Sequence, residues 1–196
     1  LGGITTVGEF HYLLNDLDGS PYDDKHVMIR SVVQAARDVG IRLALLRTVY
    51  LQGDIDEPAQ GVQKRFCDPH VDAACDDFDE LVGWLLSLQD YRLSWGIAAH
   101  SIRGVPLDAL ISLKLRLAHM PFHMHVSEQR HEVEMCQVRY GVPPVRLLHE
   151  HGLLDSSTTL VHGTHVDDEE IQFLARSGAF VCVCPSTEAD LGDGLC

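Results

Sequence analysis

The segment PFHMHVSEQ holds the densest set of side chains able to do chemistry, with His123 and His125 two apart and Glu128 three residues further on. Residues two apart on a strand share a face, so both imidazoles point the same way, and in a barrel that face meets the interior where a divalent metal would sit. Glu128 follows where the strand turns into a helix, within reach of a water on a metal held by His125. A carboxylate so placed is the usual proton shuttle of metal-assisted hydrolysis. An HxH pair alone also occurs on ordinary strands; Glu128, together with His162 and His165 in TLVHGTH, lifts this one above that background. Other polar groups gather in GEFHYL, with Glu9, His11 and Tyr12, and in AHSIR, with His100 and Arg103.

The elements that must carry these groups are short and apolar. Six β-branched runs read as strands, at residues 4–10, 41–50, 93–100, 121–127, 158–162 and 179–184. Segments of helical period lie between them, at 24–39, 76–89, 106–120, 129–140 and 167–177, several stopped by glycine. This alternation predicts βα units around a parallel sheet whose strands are buried on both faces. Residues 51–74 have no clear period and read as a long βα loop. The candidate chemistry falls at C-terminal strand ends, the rim where a βα barrel builds its active site. An eight-stranded barrel takes about 250 residues, so a chain of 196 with six strands reads as a single partial barrel domain, truncated at both ends.

Composition excludes several function classes. Fifteen basic residues against 29 acidic ones leave a net charge of -14, which repels phosphate backbones, so nucleic acid is not an expected partner. No apolar run approaches the roughly 20 residues of a membrane span, and the opening residues lack the charged start of a signal peptide, so a cytoplasmic location is expected. Six irregularly spaced cysteines (Cys67, Cys75, Cys136, Cys182, Cys184, Cys196) read as reduced thiols. Cys182 and Cys184 share a strand face and read as small core residues in preference to a metal pair.

GITTVGEFHYL, WGIAAHSIRGVP, HMHVSEQRHEVEMC, TLVHGTHVDDEEI and VCVCPSTEADLGDG, in that order, resemble the amidohydrolase superfamily. The HxHxxE pattern with a following strand that ends in His is general to its deaminases, whereas GEFHYL, AHSIR and CPSTEADLGDG resemble its formiminoglutamate deiminases more specifically. The resemblance implies an incomplete (β/α)8 barrel of the TIM type, with strands two to seven present. It makes His125 a metal ligand and places an HxH pair and an Asp, the other protein ligands, outside this sequence. It implies one zinc, or another divalent ion, to acidify the attacking water, with Glu128 as base and then acid and His162 beside the nucleophile.

The implied substrate is N-formimino-L-glutamate, a small molecule with two carboxylates, hydrolysed to N-formyl-L-glutamate and ammonia. Against so negative an overall charge those carboxylates need local cations; Arg103 fits, with His100 as a further donor, and the substrate-binding Tyr of the family matches Tyr12. The resemblance also offers a homodimer as the candidate assembly. A deaminase of purine-type rings would share His125, Glu128 and His162 but have no need of Arg103, and an inactive fragment is the remaining alternative. His149 and His151 read as structural at a helix end, and His131, Glu132 and Glu134 as a solvated helix face. His123 and His165 are candidates to hydrogen-bond a metal ligand or the Glu, and Glu188 falls on a loop at the active face.

Overall fold

The structure, a computed structural model, describes residues 2–194. Six strands, β1 (Thr6–His11), β2 (Arg42–Val49), β3 (Leu93–Ala99), β4 (Phe122–Val126), β5 (Thr158–His162) and β6 (Phe180–Cys182), form one sheet in the order of the sequence. Every neighbouring pair is parallel. A parallel crossover is right-handed, so stepping always in one direction puts every helix on the same face and curls the sheet. The result is the arc of a TIM-type barrel, as expected, and not a doubly wound sheet, whose strand order reverses at a switch point.

Side-chain alternation shows both faces of the arc. Along β4, Phe122, Met124 and Val126 are fully buried against the helices, while His123 and His125 on the other face are only half-buried. The helical layer consists of α1 (Val27–Val39), α2 (Val71–Ser87), α3 (Leu107–Arg116), α4 (Arg130–Tyr140), α5 (Pro144–Glu150) and α6 (Asp168–Ser177), and α7 (Pro185–Leu191) follows β6 at the C-terminal ends of the strands. No helix among the described residues is long and apolar enough to cross a membrane.

Several boundaries move for local reasons. Helix α2 starts five residues before the expected 76 because His70 Nδ1 accepts the Ala73 N–H at 3.1 Å and caps it. The long loop before it holds a 3-10 turn at Gly61–Phe66. Helix α7 replaces the expected loop: Pro185 supplies the preset φ of a first helical turn, and Gly192, at φ 73°, ends the helix seven residues on. The expectation of core positions for the cysteine pair is corrected. Cys182 is exposed and Cys184 half-buried, because β6 pairs only with β5 among the described residues and all three of its residues are exposed. Cys67, Cys75 and Cys136 are free thiols like this pair, and Cys196 lies outside the described residues.

Under the helices lies a buried charge cluster. Arg47, on the outer face of β2, forms a bidentate pair with Asp68 from the following loop and also donates to Asp77 of α2, at 3.1 and 3.2 Å. His26, at the start of α1, meets Asp77 at 2.9 Å, and Lys25 meets it at 3.2 Å. Asp68 also donates its N–H to the Tyr50 carbonyl, so the cluster ties the loop after β2 and two helices to the sheet.

Candidate active site

Inner-face residues at the C-terminal strand ends enclose a cavity of about 480 Å3. His125, Glu128, His162, Tyr12, His100 and Arg103, the six residues expected in the site, all line it. Alternation decides who joins them: Gly8, Phe10 and Tyr12 face inward, whereas Glu9 and His11, expected at the same rim, do not line the cavity. His11 is buried instead, and burial lowers its pKa. His123 lies on the cavity wall, its ring 5.9 Å from that of Phe10. His165 lines a separate hollow with Arg130 and Glu134.

His125 has the geometry of a metal ligand. Its Nδ1 meets the His100 carbonyl at 2.8 Å, which makes Nδ1 the N–H and leaves a lone pair on Nε2. Burial, with smaller effects from neighbouring groups, lowers its pKa to about 4, so the ring is neutral near pH 7 as a ligand must be. The His162 ring stacks on it with centroids 5.5 Å apart. A carbonyl that fixes the tautomer of a ligating imidazole is the arrangement found behind metal-bound histidines.

His162 lies between two carboxylates. Its Nε2 is 3.2 Å from Glu128 Oε1 and its Nδ1 is 3.2 Å from Glu188 Oε1. Glu188 is therefore no loop residue: it sits in α7, is 2% exposed, and its Oε1 also accepts the Cys184 N–H at 2.9 Å. His162, Cys184 and Glu188 also have ligand atoms within 4.8 Å of one another, a second set able to hold a metal. The backbone is left-handed both at His162, φ 75°, and at Ser127, φ 50°. His162 closes β5 and Ser127 follows β4, next to Glu128.

Arg103 and His100 share a tight turn. A Cβ at Gly104 would lie 3.1 Å from the His100 ring, so a larger residue there would have to push the imidazole aside. Ser101 Oγ accepts the Gly104 N–H and meets His100 Nδ1 at 2.9 Å, so its own proton can go to Nδ1, which leaves Nε2–H as the donor of His100. Burial above all, then the charges of His125 and Arg103, lowers the His100 pKa to about 3, so it donates as a neutral ring. Its edge meets Tyr12 and Tyr50, at centroid distances of 5.7 and 4.6 Å. Arg103 Nε is buried without a hydrogen-bond partner among the described residues.

Glu132 corrects the expectation of a solvated face on α4. It is fully buried while His131 and Glu134 stay exposed. Its Oε1 accepts the Ser127 N–H at 3.0 Å, and its unpartnered Oε2 lies 3.9 Å from Arg103 Nε. Burial pushes its carboxyl up to about 7, against the pull of Arg103. Glu132 stands one helical turn before buried Cys136, on the same stripe of α4. His149, as expected, serves structure: it stacks on Phe173 with centroids 4.0 Å apart, and His151 is likewise outside the cavity.

The sequence profile described as "Amidohydrolase family" matches residues 1–196. Formimidoylglutamate deiminase of Pseudomonas aeruginosa is 37% identical over 98% of this chain and 42% of its own length. A 5-methylthioadenosine/S-adenosylhomocysteine deaminase of Natronomonas pharaonis is 28% identical over 98% of this chain and 39% of its own. Among solved structures, an amidohydrolase from Brucella melitensis superposes with a TM-score of 0.91 at 37% identity, covering 98% of this chain and 42% of that one. A zinc-bound adenosine deaminase from Xanthomonas campestris shares the fold with a TM-score of 0.74 at 23% identity, over 100% of this chain and 38% of that one. The chain thus spans about two-fifths of the length of the relatives it matches. A profile matched over every residue, and a relative alike over nearly all of them, agree with the cavity at the strand ends: the chain belongs to the amidohydrolase family.

Proposed function

We propose that the protein hydrolyses the C=N bond of N-formimino-L-glutamate, releasing ammonia and N-formyl-L-glutamate. The observation that carries this reading is the position of Arg103, a guanidinium in the same cavity as His125, Glu128 and His162. A carboxylate-bearing substrate calls for that cation, whereas a purine-type ring does not. The likeness to the Pseudomonas aeruginosa deiminase supports the same substrate. His125 would hold a divalent metal, zinc in this reading, which supplies Lewis acidity that lowers the pKa of the attacking water toward about 7.

The remaining steps belong to the side chains. Glu128 takes a proton from the attacking water as its oxygen bonds to the C=N carbon. It passes that proton to the imino nitrogen, which becomes an amine, then takes the remaining hydroxyl proton and gives it to that amine as the C–N bond breaks, releasing ammonia and leaving the formyl C=O. His162, against Glu128 through Nε2, donates to the oxygen that gains charge at the tetrahedral carbon. Arg103 binds a substrate carboxylate as a bidentate fork, and His100 Nε2–H and the Tyr12 hydroxyl add donors beside it.

Ammonia release by the full-length protein tests this, with and without zinc and with guanine as the control substrate. Loss of a charge-assisted contact is expected to lower kcat/KM of Arg103→Ala by about 10- to 100-fold, equivalent to roughly 1.5–3 kcal/mol. Turnover of guanine alone would replace the substrate assignment with a ring deaminase. Turnover that ignores zinc would remove the metal-dependent mechanism.

A further inference from the structure

We propose that Glu132 is a positioning residue that holds the carboxylate-binding arm and the turn of the general base in one register; this rests on the deiminase reading above. Two buried atoms motivate it. Arg103 Nε and Glu132 Oε2 face each other at 3.9 Å, and neither has a hydrogen-bond partner among the described residues. Opposite charges so placed close to contact with a small movement, and a buried orphan on each side favours that closure. An arginine held through Nε presents its two terminal nitrogens as a fork to the cavity, the geometry that a substrate carboxylate needs.

The other oxygen of the same carboxylate reaches the catalytic turn. Glu132 Oε1 accepts the N–H of Ser127, the residue before Glu128, whose backbone is left-handed at φ 50°. Glu132 thus links the Arg103 turn to the turn that carries Glu128. The Arg103 turn is fixed from its far side too, since Gln52 donates to the Arg103 carbonyl at 2.9 Å and Leu51 and Gln52 donate to that of Gly104. With that backbone anchored, the guanidinium is the part free to close on Glu132.

Glu132→Gln tests the proposal in the full-length protein. The amide oxygen can still accept the Ser127 N–H, but an NH2 then faces Arg103, donor against donor. KM for N-formimino-L-glutamate is expected to rise about tenfold or more with kcat within about twofold, as for loss of one charged contact. Formamidine, the bare C=N head group with no carboxylate, is expected to react equally well with both proteins. Arg103→Lys keeps the charge but has no Nε for Glu132 to hold, so its KM should rise nearly as far as that of Arg103→Ala. Lysine that restores the wild-type KM overturns the proposal, as does an equal fall in kcat on both substrates or a Glu132→Gln protein with unchanged KM. A wild-type protein inactive on N-formimino-L-glutamate and unable to bind N-formyl-L-glutamate overturns the deiminase reading, and this inference with it.

Discussion

Glu128→Gln is expected to lower kcat by about 10²- to 10⁴-fold, the range over which a positioned acid–base group contributes. The amide is nearly isosteric with the carboxylate, and its oxygen can still accept from His162 Nε2, now 3.2 Å from Glu128 Oε1. The pocket therefore keeps its shape while losing the one group able to take a proton from water and give it to nitrogen. Metal content and melting temperature should match the wild type, and KM should change little, because the lost interaction belongs to the transition state. Ammonia release measured beside metal analysis decides the matter. A variant that retains its metal and more than about a tenth of its turnover would move the proton transfer elsewhere, with His162 the first place to look.

Arg47→Leu should lower the unfolding free energy by about 3–5 kcal/mol, since it strands the buried Asp68 carboxylate and leaves Asp77 only His26 and Lys25. Asp68 is 7% exposed and Asp77 half-buried, and both look to the same guanidinium. Burial alone would raise the Asp77 pKa, but the hydrogen bond from His26 and the charge of Arg47 hold it well below the usual carboxylate range. A folded pKa below the unfolded value of about 3.9 stabilises the native state above that pH and ceases to do so as pH falls through the folded value. Urea midpoints measured from pH 7 down to 3 should therefore fall steeply for the wild type below about pH 4 and more gently for Arg47→Leu. Replacing the whole set, Arg47→Met with Asp68→Asn and Asp77→Asn, should recover part of the loss, because paired buried charges are replaceable while single ones are not. Equal midpoints for wild type and Arg47→Leu would show that water reaches the cluster and solvates the orphaned Asp68 carboxylate.

Inner-face residues were the legible part of the site. The two-residue period of a strand determines its faces, so His123 and His125 could be paired before any coordinates, and Glu128 followed from the strand-to-helix turn. The sequential order of six parallel strands was legible for the same reason: each apolar run is short, and a helical segment separates it from the next. What could not be read were contacts across the fold. Glu132 and Glu188 look like solvent-facing acids in their own segments, and only the packing of α4 against the Arg103 turn and of α7 against His162 buries them. Helix α7 itself, seven residues long, spans too little sequence for its period to show. His11 misled for the converse reason, since it lies near the rim in sequence but on the outward side of the pleat.

The left-handed backbone at Ser127 and His162 limits how this protein can be made tougher. A residue with a Cβ in that region loses about 1–2 kcal/mol relative to ordinary conformations, and the Ser127 hydroxyl is also buried without a partner among the described residues. Part of the backbone strain of the fold thus sits at the two bends that aim its reactive groups, as it does at Asp56 and Gln89 away from the cavity. Selection or engineering for heat resistance has little to gain there without disturbing the aim. It would find its openings in the helical shell instead, at exposed apolar positions such as Val39, Leu115 and Val138, where a change of side chain does not reach the cavity.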